Sequence, residues 1–178
     1  MSFLDFAARM FPYWILGGVI FWAVWNSSHK DLLAFNKKSF KKFAIFLLVR
    51  AIYVMVTIKL AASHGVHVPG TDAVKKIPIL ATLFVGWEDM VFTLPLVLLR
   101  RVIGTKPLTW PLHAVALLGS MYVFGSGHTY EGITAAALIS LYIPFGVWFS
   151  QKKGFRTLVS GHILWDFSTI AAIKLALM

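Results

Sequence analysis

The chain has 178 residues, 58% of them hydrophobic and only 13% charged, with no cysteine and a formal net charge of +10. Its mean hydropathy is +0.76. A soluble domain carries roughly a quarter charged residues, so this composition excludes an ordinary soluble fold, and the lack of cysteine excludes disulfides, a thiolate nucleophile and a Cys-ligated metal.

Six apolar runs approach or reach the roughly 20 residues that a membrane crossing needs. They cover residues 11–28, 43–62, 77–99, 110–128, 130–149 and 157–177. The pattern predicts an all-α, multi-pass integral membrane bundle of about six transmembrane helices, with residues 1–178 forming a single membrane domain. The first run opens with Phe11-Pro12-Tyr13-Trp14 and closes with Phe21-Trp22-Ala23-Val24-Trp25, aromatics suited to the two interfaces. It has neither a basic leader nor a small-residue cleavage site, so a retained helix is expected. The second run carries Lys59, expected to snorkel to an interface, and Arg50, expected to lie within reach of the cytoplasmic side.

Charge sorts the connections. Segment 29–42 holds Lys30, Lys37, Lys38, Lys41 and Lys42; segment 100–106 holds Arg100, Arg101 and Lys106; segment 152–156 holds Lys152, Lys153 and Arg156. The positive-inside rule places these alternate segments in the cytoplasm and both termini outside, in a plasma or bacterial inner membrane. Lipid headgroups are then the expected partners of the basic residues, and no basic face is left for nucleic acid. The opposite loop 63–76 carries Lys75, Lys76 and a His64-x-x-His67 pair, read as an exposed polar loop because no third metal ligand is near at the right spacing. No metal or cofactor is expected.

Of the seven acidic residues, Glu88, Asp89 and Asp166 fall well inside the apolar runs, away from their ends. Ionisable groups at that depth cost several kcal/mol or more, face polar cavities and serve function. Glu88 and Asp89 are adjacent, so they point about 100° apart on a helix: one can meet a substrate while the other anchors to a neighbouring helix. Phe124 stands four residues before His128, close enough for the ring to pack beside the imidazole. Gly125 and Gly127 permit close approach or a local break. His162 and Asp166 share one helix face, where a carboxylate can fix the imidazole tautomer. A structural role for each pattern, as hydrogen-bonded glue between helices, is the competing reading. His113 is read as interfacial and Glu131 as solvated.

Taken in order, Glu88-Asp89, Phe124-Gly-Ser-Gly-His128 and His162-Ile-Leu-Trp-Asp166 resemble the motifs EExxxR, FxxxH and HxxxN/D of the CPBP family of membrane proteins, which includes the type II CAAX prenyl endopeptidases. The stretch from Gly146 to His162 looks like the family's entry into its last motif, and residues 77–177 would form the core helices. The resemblance implies a glutamate-type intramembrane endopeptidase acting on a membrane protein or a lipidated peptide. Glu88 and His128 would activate a water, while His162 and Asp166 would stabilise the oxyanion, with Asp166 orienting His162. Asp89 and Phe124 would support them. Two departures stand out: the second glutamate is Asp89, and the arginine falls at Thr93, which leaves Asp89 without the partner the motif supplies. A shared site also requires the helix at 110–128 to start late, sit shallow or break at its glycines. Two rival classes remain: a catalytically silent member that binds a partner in an immunity or scaffold role, and an ion transporter using the same four residues.

Overall fold

The structure, a computed structural model, describes residues 3–68, 71–75, 77–129 and 132–178. The regular elements among them are helical: α1 (Phe3–Trp25), α2 (Lys37–Ser63), α3 (Thr71–Lys75), α4 (Thr82–Glu88), a widened π turn (Asp89–Thr93), α5 (Leu94–Ile103), α6 (Trp110–Gly127), α7 (Ile133–Ser140), α8 (Tyr142–Lys153) and α9 (Phe155–Ala176). Short 3-10 turns at Lys30–Leu33, Ile79–Ala81 and Pro107–Thr109 connect them. The chain forms two compact units, one of Met1–Phe11, Lys37–Gly86 and Ser160–Met178, the other of Pro12–Asn36 and Trp87–Val159.

In the second unit α5 packs on α6 and α8, and α6 packs on α7 and α8. One buried cluster gathers Val24, Leu33, Leu94, Phe155 and Leu158; another gathers Leu96, Val97, Phe124, Ile143 and Val147. Proline explains where the helices depart from regularity. Pro95 cannot donate to the Val91 carbonyl and its ring crowds that carbonyl, and the widened turn directly before it relieves the crowding. Pro144 likewise leaves the Ser140 carbonyl without its donor, and the expected helix 130–149 is two helices, α7 and α8, meeting at Leu141. Gly154 joins α8 to α9 at φ +89° with its backbone against the Ala34 carbonyl, a position that excludes any side chain.

Within this unit the stretch before Lys37 meets the α8–α9 junction and the end of α5. Asn36 N donates to Thr157 Oγ1 at 2.7 Å, Ala34 touches Gly154, and Arg101 pairs with Asp31 at 3.3 Å. The ion pair is exposed and contributes little by itself. Arg100 and Arg101 close α5 and Lys152 and Lys153 close α8, where cations favour the helix C-terminus.

In the first unit α2 and α9 share a small core of Ile58, Ile173 and Ala176, flanked by Val54, Met55, Val68 and Val74. Lys174 Nζ donates to the Lys75 carbonyl at 2.8 Å, tying α9 to α3. Helix α2 ends in a Schellman turn: Val66 N reaches the Ala61 carbonyl at 2.9 Å and Gly65 N the Ala62 carbonyl at 3.1 Å, with Gly65 at φ +68°.

Several boundaries correct the expectations from sequence. Segment 29–42 is not one loop, because Lys37, Lys38, Lys41 and Lys42 already lie on α2. Helix α1 runs through Pro12 and begins at Phe3. Helix α6 continues unbroken past Gly119 and Gly125 to Gly127. Pro69, Gly70, Lys76, Tyr130 and Glu131 lie outside the described residues.

Among the described residues four helical runs are long and apolar enough to cross a membrane: Lys30–Ser63, Ile79–Ile103, Pro107–Gly127 and Ile133–Lys153. The apolar stretch Phe11–Trp25 within α1 is shorter. Helix α9 has the length, at 22 residues, but His162, Asp166 and Lys174 lower its hydropathy.

Candidate functional site

The π turn places the first acidic pair. Glu88 ends α4 and is half-buried; Asp89 opens the widened turn and is wholly inaccessible. Tyr142, at the start of α8, donates its hydroxyl to Asp89 Oδ1 at 2.9 Å. Thr93 Oγ1 donates to the same oxygen at a long 3.4 Å. The expectation that Asp89 lacks a partner is therefore corrected: the residue in the motif's arginine position is itself a donor, and a phenol from α8 supplies the stronger bond. Asp89 links the π turn to α8. Being closed to solvent, it meets no substrate in this conformation, whereas Glu88 keeps part of its surface open.

His128 caps the C-terminus of α6. Its Nδ1 donates to the Phe124 carbonyl at 2.9 Å, and the two rings lie 4.8 Å apart between centroids. A carbonyl only accepts, so Nδ1 carries the proton, and the neutral ring then presents Nε2 as an acceptor and base. Phe124 is buried and packs on Phe92 at 5.6 Å and on Tyr142 at 6.0 Å. Tyr13 of α1 adds a ring 6.1 Å from Phe92. The rings of Tyr142 and Phe124 thus connect Asp89 to His128 in one cluster, walled by aromatics.

The last pattern lies in the first unit. His162 Nε2 stands 3.6 Å from Asp166 Oδ2, close enough for an ion pair if the imidazole is protonated and too long for a hydrogen bond. Arg50 of α2 joins them. Its guanidinium lies 3.7 Å over the Trp165 ring and donates to Thr169 Oγ1 at 2.7 Å. Arg50 is expected within reach of the cytoplasmic side; its head is committed across to α9.

Two residues that the sequence does not single out for the site are therefore part of these clusters. Tyr142 gives no signal, being one aromatic in an apolar run. Arg50 does give one, a charge inside a span, but a place within reach of the cytoplasmic side is the simpler expectation for it. Two other histidines bond the backbone: His113 Nε2 donates to the Gly104 carbonyl at 2.7 Å, and exposed His64 Nδ1 donates to the Leu60 carbonyl at 2.9 Å. His67 is exposed as well. Among the described residues no group of three or more His, Asp or Glu is placed to hold a metal ion.

Compared with protein-family models, with curated proteins and with solved structures, the chain shows no match.

Proposed function

We propose that the protein is a six-span membrane endopeptidase of the CPBP type, cleaving a peptide bond of a membrane-embedded or lipid-anchored substrate. The observation that carries this reading is the committed Nδ1 of His128. A water-activating imidazole needs its basic nitrogen turned to the water, and in the neutral ring the bond to the Phe124 carbonyl puts the proton on Nδ1 and makes Nε2 that nitrogen. Glu88, the half-open carboxyl of its pair, shares the water with His128. By the resemblance to the family motifs, His162 would donate to the developing oxyanion, where preorganised donors act most strongly, with Asp166 as its charged neighbour 3.6 Å away. Asp89 holds the turn that presents Glu88.

Membrane placement draws support from the outer faces of the helices. Leu48, Val49, Ile52 and Tyr53 of α2, and Val115, Leu118 and Tyr122 of α6, are exposed, an apolar surface larger than soluble monomers tolerate. The basic segments face the cytoplasm in this reading, and both termini lie outside.

A second reading has its own observation. With Thr93 where the motif has arginine, and bonded to Asp89, the chain could have given up catalysis and kept the bundle for binding a partner. One experiment separates the two. Membrane-protein termini are compared by mass spectrometry in cells expressing wild type or Glu88→Gln at matched levels. New peptide ends that depend on Glu88 are expected and would name the substrate. Identical termini with both forms folded reject the peptidase and leave the binding role.

A further inference from the structure

In the second unit one short connection draws together cations from distant parts of the sequence. The turn Lys30–Leu33 and the residues after it run from the end of α5 to the α8–α9 junction. Asp31 pairs with Arg101, Ala34 lies against Gly154, and Asn36 N donates to Thr157 Oγ1. Lys30, Arg100, Arg101, Lys152, Lys153 and Arg156 flank these contacts, and all six are exposed. Asp31 is the one acid in the stretches they come from, and Arg101 takes it at 3.3 Å. The other five form no ion pair among the described residues.

The helix dipole accounts for four of the six. Arg100 and Arg101 close α5, and Lys152 and Lys153 close α8, where a cation is favoured. It works against Arg156, which sits in the first turn of α9 with no acid in that turn. Like charges held near one another repel, and the single carboxylate of Asp31 does not balance them. A bound anion does.

The flanking side chains indicate the source of that anion. Val102 follows Arg101 directly, and Trp148 precedes Lys152 by one turn on the same face of α8; both are exposed. A small soluble anion leaves these apolar groups in water. A phospholipid covers them with its chains while its phosphate meets the cations. Nearby positive charge also favours the second ionisation of a phosphate monoester, so such a headgroup brings two charges to the cluster where a diester brings one.

We infer that the end of α5, the turn Lys30–Leu33 and the α8–α9 junction form a docking surface for an anionic lipid whose headgroup is a phosphate monoester. The inference rests on the membrane placement proposed above and is independent of the peptidase reading.

The test uses the full chain in phosphatidylcholine nanodiscs doped with phosphatidic acid or, at matched total charge, with phosphatidylglycerol. Native mass spectrometry counts the lipid that each released chain retains. Wild type is expected to retain phosphatidic acid in preference to the other two lipids. Lys152→Gln, Lys153→Gln and Arg156→Gln combined are expected to weaken that retention about tenfold or more. Lys38→Gln, Lys41→Gln and Lys42→Gln combined remove equal charge from exposed positions of α2 and are expected to leave it in place. Equal loss in the two triple variants, or equal retention of the two anionic lipids, overturns the inference. Displacement of the lipid by inorganic phosphate alone assigns the surface to a soluble anion and overturns it too. Membrane placement is read separately, by alkaline extraction of vesicles: a chain that is stripped off fails that placement, and the inference falls with it.

Discussion

At the scale of single residues, the two acidic neighbours have different jobs. A wholly buried carboxylate is tolerable only with donors around it. Asp89 has the Tyr142 phenol at 2.9 Å and the Thr93 hydroxyl at 3.4 Å. Tyr142→Phe keeps the ring and its packing on Phe124 but removes the stronger donor. Loss of a donor to a buried acceptor costs about 1–3 kcal/mol. The expected result is therefore a lower unfolding free energy by that amount, measured by reversible denaturation in detergent, with helicity by circular dichroism unchanged. Thr93→Val, which removes the longer bond, is expected to cost less. Equal stability of Tyr142→Phe and wild type would mean that the phenol does not matter to Asp89. Asp89 is legible in the sequence because a carboxylate in an apolar run is conspicuous. Its donor is not, since a tyrosine on another helix becomes relevant only through tertiary packing.

At the scale of helices, apolar periodicity locates the elements well wherever the backbone can run regularly. The expected run 110–128 is α6, Trp110–Gly127, and the run 157–177 is α9, Phe155–Ala176. Departures trace to residues whose effect is on backbone hydrogen bonding. Pro144 divides one expected helix into α7 and α8, and Pro95 follows a π turn that no hydropathy pattern encodes. The lysines at 37–42 read as loop because they are charged, yet lysine is a good helix former and they begin α2. Packing between helices gives the element-scale prediction. A Cβ on Gly125 would stand 3.0 Å from the Ala136 carbonyl oxygen and 3.1 Å from the Ser140 Cβ, so this glycine sets how closely α6 approaches α7. Gly125→Val must push the two helices apart and is expected to destabilise by about 1–3 kcal/mol. Gly119, on the same helix, faces open space: a methyl group there would meet nothing within 4 Å. Gly119→Ala is expected to leave stability unchanged or raise it by up to about 1 kcal/mol through helix propensity. Thermal unfolding of the two variants side by side checks both. Equal behaviour would mean that the α6–α7 approach is not tight.

At the scale of the whole molecule, the number of membrane crossings decides where the termini lie, and the two possible counts give opposite answers. The runs Lys30–Ser63, Ile79–Ile103, Pro107–Gly127 and Ile133–Lys153 are each apolar enough to cross. If only these four cross, the chain enters and leaves at the basic end, and both termini share that side. If α1 and α9 cross as well, both termini lie opposite the basic segments. Length alone does not choose between them, because α1 and α9 have 23 and 22 residues and each could span about 30 Å. The proposed six-span reading requires α9 to cross with its charged residues, and there Arg50 of α2 is held on its face, over Trp165 and bonded to Thr169. The chain has no cysteine, so single-cysteine variants carry one reporter thiol each. Thr105→Cys and Gln151→Cys mark the basic end, Ser63→Cys and Thr129→Cys the opposite one, and the exposed Leu4→Cys and Met178→Cys the termini. With an impermeant maleimide, the first two are expected to label only in inverted vesicles and the other four only in right-side-out cells. Labelling of Leu4→Cys and Met178→Cys together with Thr105→Cys would reduce the bundle to four crossings. His162 and Asp166 would then leave the bilayer interior, and their charges would no longer argue for an intramembrane site.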